Sequence, residues 1–338
     1  MTPPVFIRDI EFFLPERVIT NDELEIENPT WQMKVVENRT GIKQRYISAE
    51  SETALDLAYK ACRNLFDKNP YLRKNVDAIL FCTQSPDYVL PPNACVLHKK
   101  LELKEKTFAL DFNLACSGYI YGLALAEGLL LSKRCRQILL INADTYSRYI
   151  HPKDRSTRVL FSDAAAVSLI SSEGPGLRIL DIECATSGEN YDKFIIWAGG
   201  QRLPKSPETI IPLTDKSGNV YTKEHIYMEG LEILNFVGSK VPIQIKNLLH
   251  RNNLELSAVD GFIFHQASKM VLDLLTRMLK LSPDKVFRNI HNVANTVSAS
   301  LPISIKEAEK EWLKPGSKIV LSGFGVGLSW GSALVEKA

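Results

Sequence analysis

A series of apolar strand-like and helix-like segments occurs twice along this chain, and the repeat restricts the possible folds more than any other feature. The first copy has strand-like segments at 76–85, 107–113 and 136–144, with helices near 93–102 and after Cys116. The second copy has strand-like segments at 259–268 and 317–325, a mixed segment at 286–300, and helices at 268–281 and up to residue 313. Val76 and Val259 are 183 residues apart, and Ile138 and Ile319 are 181 apart, so the copies keep their register. We therefore expect two similar half-domains packed face to face.

Alternating strands and helices predict an α/β protein with parallel sheets and crossover helices, and a long helix at 222–250 would cover one face. In such sheets, catalytic and binding residues gather where the strands end. The repeat places Cys116 opposite residues 297–299, and Cys82 opposite His265. We therefore expect the chemically distinctive residues of the two copies at equivalent loop ends.

Charge and hydropathy argue against several classes of protein. The 41 basic and 39 acidic residues give a net charge of +2 without a basic run, so no nucleic acid partner is expected. No 18-residue apolar span occurs, and the first residues lack the apolar core of a signal peptide, so we expect no membrane partner and a cytoplasmic location. The six cysteines form no CxxC pair, so neither a metal site nor a disulfide framework is predicted.

One cysteine, Cys116, stands where an apolar strand meets an apolar helix. A thiol at the first turn of a helix lies beside unpaired N–H groups, which would lower its pKa and make it a nucleophile. The small neighbours Ala115, Ser117 and Gly118 would let a carbonyl group approach the backbone N–H of Cys116. The alternative is a small buried side chain that fills the joint, as we expect for the other five cysteines.

His265 and Asn295 are the candidate partners of the cysteine. Taken alone, a histidine at a strand end and an asparagine in a turn are more often structural. Their positions in the repeat bring them toward Cys116, which suggests a Cys-His-Asn site between the halves. The same order occurs in papain-like hydrolases, but the sequence around Cys116 lacks their C-G-[SA]-C-[WY] signature.

Several stretches resemble the β-ketoacyl-acyl-carrier-protein synthase III family of the thiolase superfamily. They are "TGIKQRYIS", "SPDYVLPPNA", "DFNLACSGYIYGLALA", "RVLFSDAAAVSLI", "FHQAS", "NVANTVSASLPISI" and "SGFGVGLSWGSALV". They occur in order over nearly the whole chain. The resemblance implies a thiolase-like fold with mixed central sheets in α-β-α-β-α layers, and a homodimer. Its halves would be residues 1–175, with the cysteine, and 176–338, with the histidine and asparagine.

The resemblance also implies the chemistry. An acyl thioester would load Cys116, and a malonyl thioester, most simply on acyl carrier protein, would lose carbon dioxide to form an enolate held by His265 and Asn295. The enolate would attack the acyl group and give a 3-oxoacyl thioester. The backbone N–H groups of Cys116 and Val326 would form the oxyanion hole, with the glycines of "GFGVG" permitting close approach. No cofactor is implied, because coenzyme A and phosphopantetheine thioesters are the substrates.

The family pattern assigns further residues by position. The acyl pocket would include Phe324 and, reaching across the dimer, Leu90, whose size suits a primer other than acetyl. The substrate or coenzyme A would be bound by Arg39, Thr40, Arg155 and Ser268, and a carrier protein would dock at Lys269.

The chain also departs from the family pattern. Val35 stands where many members have a tryptophan that stacks on adenine, and Trp31 is out of register. Met270 replaces a basic docking residue. The sequence leaves open a specialised pathway, an acyltransferase of the same fold that moves an acyl group to oxygen or nitrogen without decarboxylation, and a silent partner subunit.

Overall fold

The computed structural model describes residues 3–310 and 312–338. The strands are β1 (Val5–Phe13), β2 (Arg17–Thr20), β3 (Gln44–Ile47), β4 (Ala78–Cys82), β5 (Phe108–Phe112), β6 (Gln137–Asp144), β7 (Ala164–Ser171), β8 (Leu177–Thr186), β9 (Phe194–Ile195), β10 (Leu213–Thr214), β11 (Val220–Tyr221), β12 (Tyr227–Met228), β13 (Gly261–Phe264), β14 (Lys318–Gly325) and β15 (Ser329–Lys337). The helices are α1 (Asn21–Glu27), α2 (Met33–Thr40), α3 (Ala54–Lys68), α4 (Asn93–Lys100), α5 (Gly118–Leu131), α6 (Arg155–Arg158), α7 (Gly230–Arg251), α8 (Lys269–Met278), α9 (Ile290–Val293) and α10 (Ser300–Ala308). The predicted α/β class is therefore confirmed.

Nine strands form a mixed sheet in the order β13-β14-β15-β8-β1-β7-β6-β4-β5. Counted outward from the central β1–β8 pair, the strands on one side are β1, β7, β6 and β4, and those on the other side are β8, β15, β14 and β13. The repeat in the sequence is therefore also a repeat in space. Only β4 with β5 and β6, and β13 with β14, are parallel. The remaining pairs are antiparallel, which confirms the mixed sheets that the family resemblance implied and corrects the parallel sheets that the alternating pattern suggested by itself. Short connections such as Val326–Leu328, between β14 and β15, cannot form a parallel crossover.

Helices α5 and α10 form the central layer of the molecule. Helix α5 contacts β4 and β6 of the first half and β8, β14 and β15 of the second, and α10 contacts β1, β7, β13 and β14. The α5 sequence is apolar on nearly every side, as a helix between two sheet surfaces must be. Helices α3 and α4 cover the outer surface of the first half, and α7 and α8 cover that of the second. The result is the layered arrangement that the family resemblance implied.

The structure corrects the start of one predicted helix and shows the conformation of one segment that the sequence left unassigned. The long helix begins at Gly230 rather than at residue 222, because Tyr227–Met228 pairs with Phe194–Ile195 as a short strand. The segment 286–300 contains the one-turn helix α9 and then an irregular turn. The predicted boundary after residue 175 lies in the turn from β7 to β8, and the division into two domains stays a prediction. None of the helices in the described ranges has the length and apolar character needed to span a bilayer.

Candidate active site

Cys116 lies between the end of β5 and the start of α5. The helix begins at Gly118 with Ser117 as its N-cap residue. Cys116 therefore lies just before the helix, whereas the sequence suggested a position in its first turn. A Cβ atom at Gly118 would lie 2.3 Å from the Cys82 sulfur, so only glycine lets the helix begin this close to β4. Cys82 in turn donates a hydrogen bond to the carbonyl of Leu114 at 3.0 Å. The joint is thus fixed by strand β4 beneath it.

The second half of the chain closes around the same cysteine. A Cβ atom at Gly325 would lie 3.0 Å from the Cys116 sulfur, and one at Gly323 would lie 2.6 Å from the Cys116 carbonyl oxygen. The hydroxyl groups of Ser117 and Ser329 share a hydrogen bond of 2.7 Å across the two halves. The glycines of β14 therefore allow direct contact between this strand and the thiol.

The pKa of the Cys116 thiol is raised rather than lowered, which corrects the sequence-based expectation. Burial is the main cause, and the negative charge of Asp144 adds to it, while the backbone N–H of the cysteine opposes both. Cys116 precedes the N-cap residue of α5 and is enclosed by β14. These two features explain why the N–H groups at the helix start do not lower the pKa of the thiol. The thiol is thus protonated at neutral pH and has to lose its proton as it reacts.

His265 follows β13 and is buried. Burial lowers its pKa to about 3, so the imidazole is neutral at physiological pH. Its Nδ1 is sealed from solvent and has no hydrogen-bond partner among the described residues. A proton on Nε2 leaves Nδ1 as an unfilled acceptor, which costs less than an orphaned donor. The ring of Phe324 meets the imidazole edge to face at 5.7 Å. His265 is therefore suited to donate a hydrogen bond through Nε2.

Asn295 lies in the turn between α9 and α10. Its backbone N–H donates to the Leu160 carbonyl at 3.0 Å, and its own carbonyl accepts from the N–H of Ser162 at 2.9 Å. The side-chain oxygen accepts from the N–H of Val297 at 3.0 Å, which leaves the amide NH₂ as the free end of the group. Val297 adopts a φ of 52°, a conformation that β-branched residues rarely adopt. The fold holds this asparagine in place at a cost in backbone strain.

A cavity of about 410 Å³ contains Cys116, His265 and Asn295 in its wall. Five other residues singled out from the sequence also line it, namely Arg39, Thr40, Arg155, Ser268 and Phe324. Met270, which also lines the cavity, is solvent-exposed, so the cavity reaches the surface. The structure thus brings together the predicted Cys-His-Asn set and most of the predicted binding residues.

Three further predicted residues lie outside the cavity lining, and their predicted roles across the dimer, in carrier docking and through a backbone N–H stay predictions. Leu90 is 79% exposed on the loop before α4 and lies outside the cavity of its own chain. Lys269 does not line the cavity and forms an ion pair with Asp273 at 2.6 Å. Val326 borders the cluster around Cys116, and neither its N–H nor that of Cys116 donates to a carbonyl within the described part of the chain. These two N–H groups are therefore available to a ligand.

Sequence reasoning missed the aromatic wall beside the cysteine. Tyr146, Phe161 and Phe194 pack in one cluster with Cys116, with ring centroids 5.3 Å apart for the first pair and 6.1 Å for the second. Tyr146 follows the end of β6, and Phe161 lies in the quoted stretch "RVLFSDAAAVSLI", so the positions of both could have been noticed. Phe194 begins the two-residue strand β9, which is too short for a periodic pattern to indicate it.

Asp144, at the end of β6, is a buried carboxylate that sequence reasoning also missed. It accepts hydrogen bonds from the N–H of Gln84 at 2.8 Å and from the hydroxyl of Ser298 at 2.6 Å. Burial raises its pKa to about 7. No group of three or more His, Cys, Asp or Glu side chains in residues 3–310 and 312–338 is arranged to hold a metal ion.

Comparison with known proteins gives one consistent family. Residues 110–188 match the model for 3-oxoacyl-[acyl-carrier-protein] synthase III, and residues 249–337 match the model for its C-terminal part. The chain is 32% identical over 327 residues to the β-ketoacyl-[acyl-carrier-protein] synthase III of Chlamydia caviae, covering 96% of this chain and 94% of the relative.

Solved structures agree with this result. A 3-oxoacyl-(acyl-carrier-protein) synthase III structure is 41% identical, with a TM-score of 0.96 and coverage of 99% of this chain and 100% of the other. A 3-oxoacyl-(acyl-carrier protein) synthase from Burkholderia xenovorans LB400 is 29% identical, with a TM-score of 0.90 and coverage of 99% and 94%.

Proposed function

The chain belongs to the 3-oxoacyl-[acyl-carrier-protein] synthase III family of condensing enzymes, and from this premise we propose a role for each residue of the cavity. Cys116 is the nucleophile. Its sulfur attacks the carbonyl carbon of an acyl thioester, the bond to the carrier's sulfur breaks, and the proton of Cys116 passes to the departing thiol. The protonated state of the buried cysteine supplies that proton. The observation that carries the proposal is the convergence of Cys116, His265 and Asn295 on one cavity.

The second step joins two carbon atoms. A malonyl thioester loses carbon dioxide, the electron pair moves onto its thioester carbonyl, and His265 and Asn295 donate hydrogen bonds to the enolate oxygen. The enolate carbon attacks the acyl group, Cys116 leaves, takes up a proton and returns to the thiol. A histidine with a pKa of about 3 acts here as a neutral donor, and decarboxylation removes the need for a strong base. No cofactor enters either step.

Charge on the acyl oxygen is stabilised by the backbone of both halves. The N–H groups of Cys116 and Val326 lack acceptors among the described residues, which supports their role as the oxyanion hole. The contact of Gly325 with the cysteine keeps the two donors near one another. An acyltransferase that omits decarboxylation would need no donor pair such as His265 and Asn295, so condensation is favoured.

The test is intact mass measurement after exposure to acyl thioesters of several chain lengths. Wild-type protein should gain one acyl group per chain, and Cys116→Ala should gain none. Cys95→Ala is the matched control, because Cys95 is the exposed cysteine and should not affect loading. An adduct that persists in Cys116→Ala would refute the assignment, and a wild-type chain that acquires none would indicate a silent subunit.

The two half-reactions test the donors separately. His265→Ala and Asn295→Ala should leave the loading of Cys116 largely intact and reduce release of carbon dioxide from the malonyl thioester by roughly 10²–10³-fold. The reason is that the enolate charge arises only in the second step. Equal loss in both steps would instead make His265 a general base for the thiol.

We further propose a homodimer through the edge strand β5. This strand ends the sheet, and its Phe108 and Leu110 are exposed, a pattern that leaves an apolar edge for another strand. The neighbouring loop exposes Val89 almost fully, together with Leu90. In a dimer, this loop would cross the interface, and Leu90 of the partner subunit would close the acyl pocket.

Residues at the entrance of the cavity indicate which carrier delivers the acyl group. Arg39, Thr40, Arg155 and Ser268 would bind the pantetheine arm, coenzyme A or its phosphates, and Lys269 would contact an acyl carrier protein. Val35 offers no aromatic surface, and Trp31 is buried under Arg158 and cannot replace it. We therefore propose that the primer arrives on a carrier protein. A cytoplasmic location also remains a proposal, supported by six free cysteines.

A further inference from the structure

A second cavity, of about 250 Å³, lies between the β2–β3 hairpin and the segment that follows β6. Four arginines line it: Arg17, Arg45, Arg148 and Arg158. Its remaining wall is largely apolar and includes Ile19, Ile150 and Phe161. Four guanidinium groups around one small space repel one another unless negative charge lies between them.

Arg45 is the most unusual of the four because its side chain is 1% exposed. One terminal nitrogen donates to the Ile19 carbonyl at 3.3 Å, and the other donates to Asn21 Oδ1 at 2.9 Å and the Val159 carbonyl at 3.0 Å. All three acceptors are neutral. The Nε–H is buried and has no hydrogen-bond partner among the residues that the structure describes. Burial is the main cause that lowers the pKa of the group to about 10; the charge of Arg158 adds to this effect, and the negative charge of Glu23, which forms no salt bridge with Arg45, opposes it. A buried arginine without a carboxylate is costly unless a ligand supplies the charge.

The positive charges of the other three arginines are also largely uncompensated by carboxylates. Arg158 forms an ion pair with Glu27 and donates to the Pro152 carbonyl. Arg148 donates only to the backbone carbonyls of residues 49, 50 and 52. Arg17 is exposed and makes no side-chain hydrogen bond to another described residue. Within the described ranges, Glu27 is thus the one carboxylate that forms a salt bridge with any of the four.

We propose that this cavity binds a small organic phosphate monoester. Guanidinium groups pair with phosphate oxygens through parallel N–H···O bonds, and a doubly charged phosphate matches several arginines better than one carboxylate does. Arg17, Arg148 and Arg158 line the cavity and would donate to the phosphate, while the buried charge of Arg45 behind the wall adds to the attraction. The apolar wall would hold a compact organic group. The volume of about 250 Å³ limits that group to about the size of one aromatic ring.

This site is separate from the cavity that holds Cys116. The large cavity is lined by two other arginines, Arg39 and Arg155, and by none of these four. Phe161 is the one residue among the described ones that lines both cavities. The proposed ligand therefore adds to the substrates of the condensation and does not replace one of them.

Isothermal titration of the full chain with phenyl phosphate and with inorganic phosphate tests the assignment. Phenyl phosphate should bind with one site per chain and more tightly than inorganic phosphate, because only the former fills the apolar wall. Arg17→Gln should weaken binding roughly 10- to 100-fold, the effect of losing a charged hydrogen bond. Arg63→Gln, an exposed arginine on α3, is the matched control and should bind normally. Arg45→Gln removes the buried positive charge beside the cavity and should also weaken binding, and thermal unfolding checks that this variant is folded.

Three results would overturn the proposal. The first is no measurable binding of either probe to the wild-type chain. The second is equal affinity for the two probes, or equal weakening in Arg17→Gln and Arg63→Gln. The third is displacement of phenyl phosphate by saturating coenzyme A, which would place the probe in the large cavity. The test does not depend on condensation activity, so a failed primary function would not change its result.

Discussion

Gly325 and Cys116 come from opposite halves of the chain and touch, with a Cβ at the glycine standing 3.0 Å from the sulfur and 2.9 Å from the Cβ of the cysteine. Gly325→Ala should therefore obstruct the thiol without backbone strain, since this glycine does not have a positive φ. We expect loading of Cys116 from an acyl thioester to fall by at least roughly 10²-fold, as misplacement near a reacting atom does. Single-turnover loading followed by intact mass gives the rate.

Gly128→Ala is the control for this substitution. It lies in α5 with no atom within 4 Å of the added Cβ, and alanine should stabilise the helix by about 0.5–1 kcal/mol. Loading should be unchanged. Normal loading by Gly325→Ala would show that the strand β14 moves away from the cysteine in solution.

Asp144 couples pH to the reactivity of the thiol. Its ionised form raises the pKa of Cys116, and its own pKa is about 7. Asp144→Asn should therefore speed alkylation of Cys116 by iodoacetamide roughly 3- to 10-fold above pH 7, and leave it unchanged well below pH 7, where the aspartate is protonated. Peptide mapping distinguishes Cys116 from the exposed Cys95. An equal acceleration at all pH values would contradict the coupling.

The raised pKa of Asp144 also predicts how the stability of the fold depends on pH. Its folded-state pKa of about 7 lies above the ordinary value of 3.8, so its protonated form stabilises the fold, and that stability is lost as pH rises from 3.8 through 7. Asp144→Asn should remove this loss, which thermal unfolding at a series of pH values would reveal. Asp67→Asn, on the exposed side of α3, is the matched control and should keep the wild-type profile.

The edge strand β5 should decide the oligomeric state. Leu110→Glu places a charge on the exposed apolar edge, and in a two-fold interface the two new carboxylates would repel each other. We expect a shift from dimer to monomer in sedimentation velocity. Tyr71→Glu changes a more exposed apolar side chain outside this strand and should remain dimeric. A wild-type chain that sediments as a monomer would refute the interface itself.

The carrier of the primer can be tested at Val35. Stacking of an aromatic ring on a base contributes on the order of 1–3 kcal/mol, or roughly 5- to 150-fold in affinity. Val35→Trp should therefore raise kcat/KM for loading from an acyl-coenzyme A ester and leave loading from the acyl carrier protein unchanged. Two results together would eliminate the proposal. The wild-type kcat/KM for the coenzyme A ester would equal or exceed that for the carrier protein, and Val35→Trp would bring no gain.

The repeat in the sequence predicted most of the fold because strand periodicity and helix periodicity are local properties. Cys116, His265 and Asn295 could be grouped because equivalent strand ends meet at one edge of a repeated sheet. The antiparallel strands β7, β8 and β15 could not be assigned a direction in this way, because strand periodicity indicates which residues form a strand and not which way the strand runs in the sheet.

Electrostatic features were the least predictable part of the site. The sequence places Cys116 near a helix start, which suggests a lowered pKa, but only the three-dimensional packing shows that the thiol is enclosed by β14 and that the charge of Asp144 raises its pKa. The four arginines of the second cavity are spread from residue 17 to residue 158. No local pattern indicates that they meet, because their proximity follows from tertiary packing alone.

The contact between Gly325 and Cys116 also sets a time at which the enzyme becomes active during its synthesis. A ribosome adding roughly 5–20 residues per second needs on the order of 10–40 s to extend the chain from the cysteine to this glycine. During that interval the nascent thiol lacks the wall formed by β14 and the N–H of Val326. Cellular thioesters therefore meet a thiol without its oxyanion hole, and catalysed loading begins only after the second half of the chain has emerged and folded.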